Sequence, residues 1–333
     1  MKAYIKVISY YLPEKVLTND ELVVIFPEWS VEKIASKIGV NERHISGEAE
    51  TATDMAIKAA EKLFATESHI KKNDIDFIIF CTQSPDYFLP TSACLIQERL
   101  GLKTSIGAFD FNLGCSGYVY GLSIAKGFVF AGIAKNILLL TAETYTKYLH
   151  PLDKSNRTIF ADAASATIIS SEGFAEIGNF SLGTDGSGAK NLIVKGGASR
   201  LPLRQNDIVF DENNNPISSD YLFMNGSEIF NFTADAVPKL VNEVLIKNNI
   251  NKDNIDLFVF HQANKYMINY LRKLLNIEQE KFYQYLANVG NTVSSTIPIA
   301  LFEAQKENKL NGNILLAGFG VGYSWGGVFL HIK

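Results

Sequence analysis

Five short apolar runs, 77–80, 106–111, 136–141, 257–260 and 313–317, lack the polar alternation of a half-exposed strand. Runs of this kind fit strands buried on both faces of a mostly parallel sheet with helices packed outside. Helical periodicity precedes two of them, over 53–64 and 234–247. The order also repeats. Residues 72–83 read KNDIDFIIFCTQ and residues 252–263 read KDNIDLFVFHQA. Asn136-Ile137-Leu138-Leu139 is answered by Asn313-Ile314-Leu315-Leu316, 61 residues after Ile75 and 58 after Ile255. Two ordered matches at similar spacing predict a duplication: α/β halves over 1–175 and 176–333, related by a pseudo-twofold axis. Residues 16–50 carry charged helix signals and predict a cap over one edge. Residues 183–225, with GTDGSG and DENNNPISSD, predict an excursion of loops and short strands.

Composition narrows the function classes by exclusion. The chain is 47% apolar and 20% charged with a net charge of −4, which gives no concentrated basic face for nucleic acid. The N-terminal stretch lacks the apolar core of a signal peptide, and no apolar stretch is long enough to span a bilayer, so a cytoplasmic protein is expected. The three cysteines, Cys81, Cys94 and Cys115, show no paired spacing, which argues against a disulfide framework. The five histidines form no spaced cluster with cysteines or carboxylates, so neither a metal nor another resident cofactor is expected. GTDGSG lacks the lysine and the strand-to-helix setting of a phosphate-binding loop.

The chemistry is expected at strand ends, where parallel α/β sheets gather reactive groups. Cys115, in DFNLGCSGYVYGL, lies between a strand-like run and an apolar helical stretch. That places its sulfur at a helix's first turn, where free N–H groups and the helix dipole would lower the thiol pKa. His261 ends the run 257–260, and Asn291, in NVGNTVSST, precedes another helical stretch. Gly114-Cys115 begins its turn as Gly290-Asn291 begins the other, with Cys115 34 residues after Cys81 and Asn291 30 after His261. The pseudo-twofold therefore brings Cys115 and Asn291 face to face, with His261 beside them.

Gly114-Cys115-Ser116-Gly117, His261-Gln262-Ala263-Asn264, Gly290-Asn291-Thr292 and the tail GFGVGYSWG together resemble the thiolase superfamily, and within it the β-ketoacyl-acyl-carrier-protein synthase III family. FADAA at 160–164 resembles that family's Phe-Gly-Asp-Gly-Ala stretch. The resemblance covers nearly the whole chain. It implies a five-layered αβαβα architecture, a homodimer, and thioesters of CoA or of an acyl carrier protein as substrates. The implied reaction is acyl transfer onto Cys115, then decarboxylative Claisen condensation with a malonyl thioester. His261 and Asn291 would donate hydrogen bonds to the thioester oxygen as negative charge collects there. The N–H groups of Cys115 and Gly322 would form a second oxyanion hole.

Further roles are implied residue by residue. Asn264 matches the pantetheine-side asparagine, Phe230 lies along the substrate channel, and Leu89 matches the residue each subunit lends to its partner's acyl pocket. The mouth departs from the family. Its adenine-clamping Trp, Arg and Thr fall on Lys33, Lys37 and Ile38, and a carrier-docking arginine falls on Tyr266. Lys154 stands where another CoA-binding arginine is expected, and Arg272 with Lys273 offers a basic pair to an acidic carrier protein. The donor, CoA or carrier protein, therefore stays open, as do the starter and the pathway. An acyltransferase or non-decarboxylating condensing enzyme on the same fold is the alternative. A non-catalytic partner subunit is disfavoured by the complete Cys, His and Asn set, and a degradative thiolase by a tail without a second cysteine.

Overall fold

Each apolar run becomes a strand whose two faces meet different helix layers. In the computed structural model, which describes residues 2–67, 69–212 and 214–332, ten strands form one continuous sheet. The first half contributes β1 (Tyr4–Tyr11), β2 (Phe77–Cys81), β3 (Gly107–Phe111), β4 (Asn136–Glu143) and β5 (Ala163–Ser170). The second contributes β6 (Ala175–Thr184), β7 (Leu257–Phe260), β8 (Phe282–Tyr283), β9 (Gly312–Gly320) and β10 (Ser324–Ile332). The order β3-β2-β4-β5-β1 recurs as β8-β7-β9-β10-β6, and an antiparallel contact of Tyr4 with Glu176 and Ile5 with Ala175 joins the two.

Six helices recur in the same way. They are α1 (Ala52–Thr66), α2 (Ser92–Arg99) and α3 (Gly117–Phe130), then α4 (Gly226–Lys247), α5 (Lys265–Leu274) and α6 (Thr296–Lys306). The start of α1 is fixed by a capping box, Thr51 accepting from Asp54 N–H while Asp54 accepts from Thr51 N–H. Helix α3 touches β2, β4 and β5 on one side and β6, β9 and β10 on the other, and α6 touches β1, β5 and β7. Both therefore lie between the halves, with α1 and α2 outside the first and α4 and α5 outside the second. The result is five layers, αβαβα.

The cores explain the missing polar alternation. On β4, Ile137 and Leu139 face the middle layer with Leu122 and Ile297, while Leu138 and Leu140 pack outward with Met55 and Leu63. On β9, Ile314 and Leu316 face the middle, and Leu315 packs outward with Val244 and Phe258. The sequence repeat has an equally direct cause. Asp76 accepts from Asn136 N–H at 3.0 Å, and Asp256 from Asn313 N–H at 2.7 Å. The two asparagine amides donate to Asp74 C=O and Asn254 C=O, at 3.0 and 2.9 Å.

One expectation needs correcting. Only β2, β3 and β4, and their counterparts β7, β8 and β9, run parallel; β5, β1, β10 and β6 pair antiparallel. A turn as short as the one from Gly320 to Ser324 can join only antiparallel neighbours. The cap carries a small antiparallel strand pair, Lys15–Thr18 with Glu42–Ile45, and between them two short helices, Asn19–Ile25 and Val31–Lys37. Beyond the end of β6 at Thr184, the described residues of the excursion carry only two-residue strands and one 3-10 turn. No helix among the described residues is long and apolar enough to cross a membrane.

Leu139 and Leu316 are matched by the pseudo-twofold and fully buried in the middle layer. Leu139→Ala and Leu316→Ala should each cost about 2–5 kcal/mol. Urea unfolding should show lower midpoints with an unchanged slope, and an effect below about 1 kcal/mol at either site would contradict the shared core.

Candidate active site

Cys115 stands in the turn that feeds α3. Ser116 is the N-cap and Gly117 the first helical residue, so the sulfur sits one residue before the cap rather than inside the first turn. The end of β9 lies directly against this turn. A Cβ on Gly320 would fall 2.9 Å from Cys115 Sγ, and one on Gly318 would fall 2.7 Å from the Cys115 carbonyl oxygen. Only glycine permits so close an approach of two backbones. The backbone N–H groups of Cys115 and Val321 favour the thiolate there. Gly322, the second donor expected from the sequence, lies one residue further round the turn to β10, at φ +139°.

The electrostatics also differ from expectation. Burial, with Glu143 next in effect, pushes the Cys115 thiol up to about 12, and the two N–H groups offset only part of this. The anticipated low-pKa thiolate is absent because the turn is dry: Cys115 is 6% exposed. Burial likewise takes His261 down to about 3. The resting pair is therefore a thiol and a neutral imidazole.

His261 continues β7, its N–H bonded to Ala317 C=O at 2.8 Å and its ring edge-on to Phe319. Its Nδ1 lies 2.7 Å from Thr296 Oγ1. Asn291 is held by backbone on both sides: its N–H donates to Ile159 C=O and its C=O accepts from Ala161 N–H, both at 2.9 Å. Its side-chain Oδ1 accepts from Val293 N–H at 2.9 Å, which turns the Nδ2 hydrogens away from Val293 as donors. Val293 Cγ1 would lie 3.3 Å from a Cβ on Gly114, so the Asn291 turn packs on the residue before Cys115. The cap reaches the same region through buried Arg43, whose guanidinium donates to Thr158 C=O at 2.6 Å from Nη2.

Several contributors were not singled out from the sequence. Glu143 is fully buried at the end of β4 and accepts from Gln83 N–H (3.0 Å), Ser84 Oγ (3.1 Å) and Ser294 Oγ (3.0 Å). It thus ties the loop after β2 to the turn after Asn291, and burial raises its carboxyl to about 8. A carboxylate closing an apolar strand run, LLLTAE, was its sequence signal. Gln83, Asn112, Tyr145 and Val321 line a cavity of about 810 Å³ with Leu192 and Leu222, and Gln83 Oε1 accepts from Tyr145 OH at 2.8 Å.

The remaining candidates scatter. Asn264 caps α5, its Oδ1 accepting from Met267 N–H at 2.9 Å. Lys37, Asn264, Tyr266 and Lys273 line a second cleft, of about 680 Å³. Phe230 packs on Tyr266 and Tyr270 beside it. Arg272 does not belong there. It donates to Ile277 C=O at 2.9 Å, because the carbonyls beyond the C-terminal end of α5 capture the guanidinium. Lys154 pairs with Glu28 at 3.0 Å. Leu89 is 82% exposed, and the cavity near Gln83 is lined by its neighbours Tyr87 and Phe88. Among the described residues no three His, Cys, Asp or Glu side chains group to hold a metal ion.

Known proteins resemble the chain in sequence and fold. Residues 109–186 match the family 3-oxoacyl-[acyl-carrier-protein] synthase III, and residues 245–332 match its C-terminal part. A β-ketoacyl-[acyl-carrier-protein] synthase III of Clostridium perfringens is 36% identical, over 97% of both chains. The chain belongs to the β-ketoacyl-acyl-carrier-protein synthase III family. It is accordingly a condensing enzyme of the acyltransferase type. A crystal structure of a 3-oxoacyl-(acyl-carrier-protein) synthase III superposes over all of both chains with TM-score 0.97 and 48% identity. A 3-oxoacyl-(acyl-carrier protein) synthase from Burkholderia xenovorans LB400 gives TM-score 0.91 and 37% identity, over 100% of this chain and 95% of that one. The priming β-ketosynthase of the R1128 polyketide pathway, at 24% identity and TM-score 0.85, shares the fold.

A thiol held up to about 12 should alkylate slowly at pH 7, with iodoacetamide rates at Cys115 still climbing at pH 10. Glu143→Gln removes a neighbouring negative charge that disfavours thiolate, so its profile should move to lower pH. A wild-type plateau below pH 8, or a shift of the variant to higher pH, would contradict these electrostatics.

Proposed function

We propose that this synthase III family member works in two half-reactions at one sulfur. In the first, an acyl thioester of CoA or acyl carrier protein transfers its acyl group to Cys115 Sγ. In the second, a malonyl thioester on acyl carrier protein loses CO2, and the resulting enolate attacks the acyl-cysteine to give a β-ketoacyl thioester. The observation that carries this reading is the close approach of the β9 glycines Gly318 and Gly320 to Cys115, in a turn where the backbone N–H groups of Cys115 and Val321 favour negative charge. Donors fixed there would stabilise the oxyanion formed when the acyl carbonyl is attacked, with no reorganisation in a dry site. Val321 takes the part expected of Gly322.

Asn291 would hold the malonyl thioester oxygen during loss of CO2. Its amide donates at any pH, and the bond from Val293 N–H stops it from flipping. His261 stands with it as the second side chain of the set. The cavity beside Gln83 and Tyr145 would receive the starter chain, and the cleft of Lys37, Tyr266 and Lys273 would admit the pantetheine arm. The exposed run Tyr87-Phe88-Leu89 suits a homodimer in which each subunit closes its partner's cavity. The halves 1–175 and 176–333, a cytoplasmic location and the absence of a resident cofactor belong to the same reading.

Intact-protein mass spectrometry against a panel of acyl-CoAs and acyl carrier proteins tests it. A covalent acyl adduct should form, vanish in Cys115→Ala, and be discharged as a β-ketoacyl product by malonyl-carrier protein. Asn291→Ala should keep the adduct while its discharge falls by about 10²–10³-fold. An adduct that survives in Cys115→Ala, or one that malonyl thioesters never discharge, would overturn the reading.

A further inference from the structure

The hydroxyl of Thr296 makes two contacts at once. It lies 3.1 Å from Val293 C=O, a partner that can only accept, and 2.7 Å from His261 Nδ1. A threonine hydroxyl has one hydrogen to give. If that hydrogen goes to Val293, the oxygen is left to accept, and Nδ1 must carry the imidazole proton. If it goes to Nδ1 instead, the oxygen faces the carbonyl with lone pair against lone pair and one contact is lost. Thr296 is 2% exposed, His261 2% and Val293 fully buried, so water does not make good that loss. A buried polar contact left unmade costs several times the thermal energy, enough to select one form.

We propose that Thr296 is a positioning residue that fixes His261 as the Nδ1–H tautomer, so that the resting ring presents a bare Nε2 to the site. The inference rests on the reading of Cys115 and His261 as the reacting pair. It divides the labour between the two side chains expected from the sequence to be equal donors: Asn291 is the donor to the malonyl oxygen, and His261 is the proton acceptor in acyl transfer. In the acyl-transfer half-reaction, Cys115 Sγ bonds to the acyl carbon as its proton passes to His261 Nε2. The carbon–sulfur bond to the donor thiol then breaks, and the Nε2 proton goes to the departing thiolate. The acyl-enzyme is left with His261 neutral again. Proton transfer coupled to sulfur attack also suits a site where neither a free thiolate nor an imidazolium is stable beforehand.

The tautomer can be read directly. In enzyme labelled with ¹⁵N-histidine, long-range ¹H–¹⁵N correlation spectra distinguish a protonated from a bare ring nitrogen, and His261→Gln assigns the signal. Between pH 6 and 8 the wild type should show a protonated Nδ1 and a bare Nε2. Thr296→Val should shift the population towards Nε2–H and slow acyl-adduct formation at Cys115 by about 10²-fold. Thr296→Ser, which keeps the hydroxyl, should retain both the spectrum and the rate. A wild-type spectrum with Nε2 protonated would overturn the inference even if Thr296→Val failed to fold. So would a Thr296→Val spectrum identical to wild type. The readout is independent of turnover, so failure of the two-step chemistry, seen as an adduct persisting in Cys115→Ala, is a separate outcome.

Discussion

Val293 is a β-branched residue held at φ +55°, in the left-handed region that such side chains rarely enter. A conformation of that kind costs about 1–3 kcal/mol and persists only where its surroundings enforce it. Here they do. Ser294 Oγ donates to Glu143, Ser295 Oγ lies 2.7 Å from Thr141 Oγ1, and the Val293 side chain is fully buried. The strained turn is what orients both polar side chains of the second half. Its N–H fixes the Asn291 amide, and its C=O, through Thr296, fixes the His261 ring. A relaxed backbone at 293 would release both together.

The enforcement comes from the other half of the molecule, so the duplication is functional as well as architectural. Thr141 and Glu143 lie on β4, and Cys115 is carried into the same space by β3 and α3. The glycines at the end of β9 then let the second half close on the sulfur. Packing this tight excludes water, and dryness decides the chemistry. It denies Cys115 a resting thiolate and His261 a resting imidazolium, while making each oriented N–H more effective towards an oxyanion.

Much of this was legible in the sequence, for reasons that also mark where legibility ends. The inner strands β2, β4, β7 and β9 showed as plain apolar runs because both faces are buried, and Asp76 with Asp256 left a visible repeat because each receives the same asparagine N–H groups. Strand β5 did not show: AASATIIS is fully buried, but its small residues give no clear period. Cys115, His261 and Asn291 could be placed because each closes a strand or opens a helix in matching positions. Val321 and Thr296 could not, since one acts through a backbone N–H and the other through a hydroxyl whose partners are 3 and 35 residues away. The bond of Arg272 to Ile277 C=O was not legible either, since the helix position alone does not show the carbonyl it reaches.

The mouth follows from the same competition between local partners and distant ones. Lys33 lies over the Trp29 ring at 4.7 Å, and Lys154 pairs with Glu28, so two cations near the cap are engaged by their own neighbours. Lys37 and Lys273 remain exposed on either side of the cleft. Exposed lysines act on an acidic partner over roughly a Debye length, about 8–10 Å, and raise the rate of encounter more than the strength of binding. On the proposed reading, affinity would come from what enters the cleft, where Tyr266, Tyr270 and the stem of Lys37 would offer apolar area to a pantetheine arm whatever carries it. Discrimination between donors would in that case be settled outside the cleft, by which carrier surface its exposed lysines meet, Lys265 among them.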